Sequence, residues 1–183
     1  MYWKSVRVIS IVVLLFSLSV SIVSAYNLNP WSWPKQFGQT YTVYVKYDTS
    51  DAYIRASWDT AVSDWNSEQS KIKFDLSSSN FSTLSTVGTM SDPDQSYYGS
   101  AFTSRPNNVI NYFSLYLNTG NTTIVNNGIV RRSTANHELG HGMGIADITS
   151  GLVLAVMNIG RDRTKIYLPQ QDDKNAVNTK YAF

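Results

Sequence analysis

The sequence predicts an α+β fold with a mixed sheet, and three observations predict it. Apolar and polar residues alternate over residues 41–47 and again over residues 72–76, which is the period of a half-buried strand. Between these strands, apolar residues recur at i, i+4, i+7, i+8 and i+11 from Ile54 to Trp65, which marks one face of a helix. This strand–helix–strand unit favours parallel pairing, whereas the short turns farther along the chain favour antiparallel hairpins.

The first half of the chain supplies two clear strands, one helix and a weaker strand. Residues 27–38 are rich in Trp, Pro and polar residues, and we expect an extended segment lying on the domain. Residues 48–51 provide turn residues and an N-cap for the first helix. The serine run 77–79 is typical of a loop, and residues 84–90 are the weaker strand.

The second half adds two strands and two helices. Residues 97–103 and 109–117 are predicted strands, and the polar residues 119–128 are predicted to form a loop. A helical pattern then runs from near Val130 to about Gly142, where glycines end it. A last helix follows Pro169, a residue that is common at helix starts.

Residues 1–25 have the features of a secretory signal peptide. A positive start at Lys4 and Arg7 is followed by the mainly apolar residues 8–23 and then by two small residues. The apolar run is interrupted by serines and is shorter than the roughly 20 residues needed to span a bilayer. We therefore predict cleavage after Ala25 and a secreted mature protein.

Residues 26–183 have the composition of one globular domain. This part has 13 basic and 13 acidic residues, so it lacks the concentrated positive face that nucleic acids or membrane surfaces require. The chain contains no cysteine, which excludes thiol nucleophiles, cysteine-bound zinc and disulfides. We expect a monomer with no nucleic-acid partner and no stable membrane association after cleavage.

The run from His137 to His141 carries the clearest chemical signal. Residues four apart on a helix lie one turn apart and about 40° around its axis, so His137 and His141 can bind one ion. Zinc accepts neutral imidazole nitrogen as a ligand. Glu138 lies between them, where its carboxylate can reach a water beside the metal as a general base.

A third protein ligand must come from a carboxylate, because the chain has only two histidines. The other glutamate, Glu68, precedes the motif. The downstream candidates are Asp147, Asp162, Asp172 and Asp173. Gly144 can adopt a positive φ and turn the chain back, which gives Asp147 a route to the metal. Asp162 lies in an Arg-Asp-Arg triplet typical of a solvated surface. Asp172 and Asp173 suit the first turn of the last helix, where carboxylates complement the helix dipole.

The pattern His137-Glu138-x-x-His141-x-x-Gly144-x-x-Asp147 resembles the metzincin zinc motif. It is similar to the variant found in snapalysins, in which an aspartate is the third ligand. The resemblance implies a peptidase in which His137, His141 and Asp147 bind a single catalytic zinc ion.

The rest of the chain resembles the same family more loosely. Residues 156–158 resemble the Met-turn, in which Met157 would form an apolar floor beneath the metal. Residues 58–66 and 168–181 are similar to the first and last helices of matrixins. The resemblance implies a metzincin-like twisted sheet of about five strands with one antiparallel edge strand, three main helices and a Met-turn. A peptide substrate would pair with that edge strand, which we assign to residues 97–103.

These features predict a secreted zinc-dependent endopeptidase that acts on protein or peptide substrates. Glu138 would take a proton from a zinc-activated water and pass it to the leaving amine, with Gly144 and Met157 in supporting roles. Two alternatives are a secreted binding protein with a structural or vestigial zinc site and a metal hydrolase acting on a non-peptide substrate. A structural Ca²⁺ could bind at Asp92-Pro93-Asp94, but turn chemistry explains these residues equally well.

Overall fold

The computed structural model describes residues 26–35, 38–76, 84–94 and 96–182. The predicted signal peptide, residues 1–25, lies outside the described residues, and so does the serine run 77–79. Within the described ranges, each helix is either too short or too polar to cross a membrane.

The centre of the molecule is a five-stranded mixed sheet. Its strands, in chain order, are β2 (Tyr41–Asp48), β3 (Ile72–Asp75), β4 (Ser85–Met90), β5 (Gly99–Ser104) and β6 (Tyr112–Asn118). They lie in the order β3-β2-β4-β6-β5, with every pair parallel except β5 and β6. The predicted sheet of five strands with one antiparallel edge strand is confirmed.

Two long helices pack on the sheet, and a third follows at the end of the chain. They are α1 (Ala52–Glu68), α3 (Gly128–Gly142) and α4 (Gln171–Lys180). The predicted apolar face of α1 is buried throughout, and its two tryptophans are fully buried. The Trp65 indole N–H donates to the Asn136 carbonyl oxygen at 2.9 Å, which joins α1 to α3 beside the histidine motif. This packing fixes the height of α3 over the sheet.

The predicted loop 119–128 is partly wrong, because it contains a short helix, α2 (Thr122–Asn126), and the start of α3. Asn121 caps α2 by accepting from the Thr123 N–H, and Asn127 caps α3 by accepting from the next helix N–H groups. These asparagines look like loop residues in the sequence, but each satisfies the unpaired donors of a helix start.

The predicted strands 97–103 and 109–117 are displaced by one to three residues at their ends. A tight 3-10 turn, Pro106–Asn108, occupies the connection, and Asn107 and Asn108 have φ values of 53° and 62°. Asparagine tolerates this left-handed region. Strand β6 begins three residues later than predicted, because Val109 forms an isolated bridge with Ser32 and the Ile110 N–H donates to the Ser32 carbonyl oxygen.

The loop at Asp92 is held by a buried side chain, which bears on the predicted calcium site. Asn118 is fully buried, and its Nδ2 donates to the carbonyl oxygens of Asp92 and Tyr97. Its Oδ1 accepts from the backbone N–H groups of Asp92 and Gly120. The Asn118 amide thus already bonds backbone carbonyl oxygens, which are typical ligands of calcium. The structure gives no support for a Ca²⁺ ion at Asp92-Pro93-Asp94.

A short two-stranded ribbon brings the N-terminal segment to the histidine motif. Strand β1 (Asn27–Leu28) pairs antiparallel with β7 (Ile145–Ala146), which lies directly after α3. Farther along the same segment, the buried Trp33 indole N–H donates to the Gly142 carbonyl oxygen at 2.8 Å. The predicted extended segment therefore lies against the end of α3.

Candidate metal centre

His137 and His141 project from one face of α3, as their spacing predicts. Their ring centroids lie 4.7 Å apart, and His137 is 8% exposed. The helix holds them in place because it is buried on the sheet side and tied to α1. Two imidazoles therefore face the same point from consecutive helical turns.

Backbone carbonyls fix which nitrogen of each imidazole is free. The Nδ1 of His137 lies 3.0 Å from the Val156 oxygen, and the Nδ1 of His141 lies 2.9 Å from the Ile145 oxygen. A carbonyl oxygen only accepts, so each Nδ1 carries the proton and each Nε2 presents its lone pair. Both Nε2 atoms are thus oriented as metal ligands.

The turn after α3 brings Asp147 back to the histidines. Gly144 has φ +78°, and a Cβ built there would meet the Trp31 oxygen and the Lys180 Cε at 2.5 Å, so only glycine fits. The Asp147 Oδ1 lies 3.2 Å from the Nε2 of His137 and 3.4 Å from the Nε2 of His141. The chain follows the route that the sequence analysis expected.

The spacing of these three atoms suits one zinc ion. Ligands about 2.0–2.2 Å from a tetrahedral ion lie roughly 3.3–3.6 Å from one another, which is close to the two distances to Asp147. Among the described residues, His137, His141 and Asp147 are the group of three whose ligand atoms converge in this way, all within 4.8 Å. The donor set of two imidazoles and one carboxylate also suits zinc.

The pKa directions of His137 and Asp147 agree with metal binding, whereas that of His141 favours the protonated imidazole. Burial lowers the pKa of His137 to about 4, so its imidazole is neutral at physiological pH. Burial alone would raise the pKa of Asp147, but its hydrogen bonds with both histidines hold that pKa well below its usual range. For His141, burial lowers the pKa, and the bond to Asp147 and the charge of Glu138 outweigh this effect and raise it.

Glu138 lies beside the three ligands and against the edge strand. It is 5% exposed, and burial raises the pKa of its carboxyl to about 7. A Cβ built on Gly99 would meet the Glu138 Oε1 at 2.6 Å, so this carboxylate oxygen lies directly against the start of β5. The acid that sequence reasoning assigned as general base therefore lies between the ligands and the strand predicted to bind peptide.

Met157 packs beneath the helix that carries the histidines. It is fully buried, and a Cβ built on Gly140 would overlap its Sδ. Asp173, also fully buried, accepts from the backbone N–H groups of Val156 and Met157 at 2.7 and 3.1 Å. Asp173 thus does more than complement a helix dipole, because it fixes the turn that contains Met157.

Arg161 is a residue of the centre that sequence reasoning missed. The prediction of a solvated Arg-Asp-Arg triplet is wrong for Arg161, which is 6% exposed, although Asp162 is exposed. Its guanidinium donates to the oxygens of Ser133 and Asn158 at 3.0 Å and lies 3.3 Å from the His137 Nδ1. No local pattern marks it, because Ser133, which accepts from two of its nitrogens, lies 28 positions away in the sequence.

The centre opens into a cleft of about 710 Å³. The cleft is lined by β5 with the residues just before it, and by Ile159, Arg161 and Arg163. Tyr97 and Tyr98 also line the cleft. Strand β5 is the edge of the sheet, so an extended chain in the cleft can run beside it.

Comparison with solved structures bears on the fold. The structure of myroilysin is similar, with a TM-score of 0.53, 12% sequence identity and coverage of 82% of each chain. High choriolytic enzyme 1, a hatching enzyme zinc-protease from the medaka Oryzias latipes, gives a TM-score of 0.49 at 11% identity, over 82% of this chain and 94% of that chain. No family model and no curated protein matches the sequence. The metzincin-like fold is confirmed, whereas the narrower matrixin and snapalysin resemblances stay predictions.

Proposed function

We propose that this chain is a secreted zinc-dependent endopeptidase in which His137, His141 and Asp147 bind one zinc ion. The observation that carries the proposal is the convergence of these three ligand atoms beside a buried carboxylic acid, at the floor of a cleft bounded by a sheet edge. Three protein ligands leave a coordination position for water or substrate, as in catalytic rather than structural zinc sites.

The chain's own groups divide the chemistry between them. Bound zinc supplies Lewis acidity, which polarises a carbonyl group and lowers the pKa of water. Glu138 accepts the proton of the attacking water on its carboxylate and transfers it to the leaving amine. Its burial against Gly99 keeps this proton transfer away from bulk water and next to the bound peptide.

The edge strand supplies the means of holding a peptide. β5 pairs with β6 on one side only, so the backbone groups of its other side face the cleft. An extended peptide can add to this edge as a further strand, which places one of its peptide bonds beside Glu138. This arrangement favours an internal bond of a polypeptide as the substrate.

Secretion, cleavage after Ala25 and a monomeric catalytic domain over residues 26–183 belong to the same proposal. Secretion and cleavage rest on the positive, apolar and small-residue order of the first 25 residues. N-terminal sequencing of the protein recovered from the medium of an expressing culture tests them, and the expected first residue is Tyr26.

The central experiment measures metal and activity together. The purified mature chain is analysed for metal content and incubated with casein and a mixed peptide library, before and after removal of metal by a chelator. We expect about one zinc per chain, internal cleavage of peptides, loss of cleavage with the chelator and recovery with added zinc. Zinc binding without cleavage of any peptide would instead support the binding-protein alternative.

A further inference from the structure

Three arginines line the cleft, although residues 26–183 are formally neutral. They are Arg105, Arg161 and Arg163, whereas the acidic residues lining the cleft are Glu138 and Asp147, which the proposed chemistry already uses. Within the described part of the chain, none of the three arginines forms a salt bridge with a carboxylate. The cleft therefore carries an excess of positive charge that this part of the protein does not neutralise.

Arg163 differs from the other two in how its guanidinium is satisfied. Its Nε is buried and has no hydrogen-bond partner among the described residues. Its guanidinium lies over the ring of Tyr98, 4.1 Å from the centroid, which holds the group by a cation–π contact without using its N–H donors. Burial lowers the pKa of Arg163, as expected for a guanidinium partly removed from water.

The place of Arg163 in the cleft is next to the reacting position. Tyr98, on which it stacks, directly precedes Gly99, and Gly99 is the residue against which the Glu138 Oε1 packs. The Asn118 N–H donates to the Tyr98 carbonyl oxygen at 2.9 Å, so the ring that supports Arg163 is anchored to β6. Arg163 is also close enough to Glu138 for their charges to interact.

The other two arginines are explained by their own contacts. Arg161 donates its N–H groups to Ser133 and to the Asn158 carbonyl oxygen, so it positions the turn that follows Met157. Arg105 lies over the ring of Trp31, 3.9 Å from the centroid, and follows the far end of β5. Among the described arginines of the cleft, Arg163 combines a buried N–H that has no hydrogen-bond partner with a place beside Glu138.

We propose that Arg163, held on the ring of Tyr98, binds a substrate carboxylate next to the scissile bond, so that the enzyme prefers peptides with Asp or Glu at that position. The inference rests on the proposed endopeptidase function and names its substrate class. A carboxylate pairs with the charge of this half-buried guanidinium through charge-assisted hydrogen bonds, whereas a neutral amide leaves that charge unpaired. The planar fork of arginine matches a carboxylate, and the excess charge of the cleft attracts acidic chains.

The test uses matched fluorogenic peptides that differ only by Asp against Asn, or Glu against Gln, at each position flanking the cleaved bond. For the wild-type protein we expect kcat/KM to be roughly 10- to 100-fold higher for the acidic member at one adjacent position. Arg163→Met keeps an unbranched side chain of similar bulk beside Tyr98 but removes the charge and its donors, and it should reduce this ratio to about 1. Arg105→Met, from the same cleft, is the matched control and should keep the ratio at that position.

Three results would overturn the inference. The first is an equal preference for acidic and amide peptides in the wild-type protein. The second is loss of the preference in Arg105→Met but not in Arg163→Met. The third is an Arg163→Met protein whose kcat falls equally on every peptide, because Arg163 would then stabilise the transition state rather than select a side chain.

A binding measurement separates this inference from the proposed function. Fluorescence anisotropy reports the Kd of labelled, uncleaved acidic and amide peptides for the zinc-loaded Glu138→Gln protein with and without the further Arg163→Met change. We expect the acidic peptide to bind about tenfold more tightly only when Arg163 is present, and less so at high salt. Equal binding of the two peptides contradicts the inference, whereas absence of cleavage by the wild-type protein with selective binding intact contradicts only the proposed function.

Discussion

At the scale of single residues, the proposed chemistry depends on which imidazole nitrogen faces the cleft. The carbonyl oxygens of Val156 and Ile145 accept from the Nδ1 atoms of His137 and His141, so both Nε2 atoms are left for the metal. Both carbonyls belong to segments that follow α3 in the chain. The ligand geometry is thus built by a helix together with the turns that fold back over it.

Glu138→Gln tests the assignment of the general base. The amide keeps the size of the side chain and cannot accept the proton of water, so kcat/KM should fall by at least about a hundredfold while zinc content stays the same. Glu68→Gln is the matched control, because Glu68 lies at the end of α1 and bonds to Lys174. Peptide hydrolysis and metal analysis on both variants provide the comparison, and an active Glu138→Gln protein would remove Glu138 from the mechanism.

Asp147→Asn tests the third ligand. The amide oxygen is a weaker ligand and carries no charge to offset that of the ion, so the Kd for zinc should rise by about a hundredfold or more. Asp162→Asn, an exposed aspartate of the following loop, should leave the Kd unchanged. Competition with a chromophoric chelator measures both values, and an unchanged Kd in Asp147→Asn would point to another ligand.

At the scale of elements, the centre depends on three pieces that meet only in the folded chain. Helix α3 carries the two histidines and the acid, the turn at Gly144 returns Asp147, and the turn at Met157 packs under α3. Asp173, in the first turn of α4, bonds to the backbone of the Met157 turn and of Gln170. One buried carboxylate thus connects the last helix to the floor of the site.

Asp173→Asn should be strongly destabilising. The aspartate accepts three backbone N–H groups, and an amide has one acceptor oxygen while its NH₂ faces donors, so we expect a loss of about 2–4 kcal/mol in the free energy of unfolding. Asp172→Asn, one residue earlier and partly exposed, should cost less than about 0.5 kcal/mol. Urea unfolding of both proteins gives these values, and equal stability would show that Asp173 does not hold the turn.

At the scale of the whole molecule, the N-terminal segment and the last helix meet behind the metal centre. The Lys180 ammonium donates to the Asn29 carbonyl oxygen at 2.7 Å, and its Cε lies where a side chain on Gly144 would be. The Tyr181 hydroxyl donates to the Met143 carbonyl oxygen at 2.9 Å. Both ends of the domain therefore support the turn that places Asp147.

Lys180 should make stability depend on alkaline pH. Burial, with a smaller effect of Lys35, lowers the pKa of Lys180 from 10.5 to about 8, so the folded protein binds fewer protons than the unfolded chain between these values. The stability of the wild type relative to Lys180→Met should therefore rise between pH 8 and pH 10.5, by about 1–2 kcal/mol because solvent screens part of the effect. Chemical unfolding of both proteins across this range measures the difference, and a constant difference would show that the pKa is not lowered.

Local pattern determined much of this protein. The apolar spacing of α1, the alternation in β2 and β3, and the histidine spacing on α3 depend on residues within a few positions of each other, and such regularities can be read directly from a sequence. The third ligand, Asp147, could also be predicted from the sequence. Gly144 allows the chain to turn back, and the absence of other downstream histidines and glutamates left few alternative ligands. The capping roles of Asn121 and Asn127 could not be predicted from the sequence. A helix cap and a loop residue look alike until the following turn is known to be helical.

The tertiary structure alone decided what surrounds the metal ligands. Arg161 bonds to Ser133 from 28 positions away, Arg163 stacks on Tyr98, and Asp173 reaches back to Val156 over 17 positions. Charged residues in a sequence suggest solvated surface, because burying a charge is costly without a partner. Arg161 and Asp173 are buried here because each has a partner that lies far away along the chain. For Arg163 the structure shows no hydrogen-bond partner for its buried Nε within the described residues, and that is why it carries the inference about substrate.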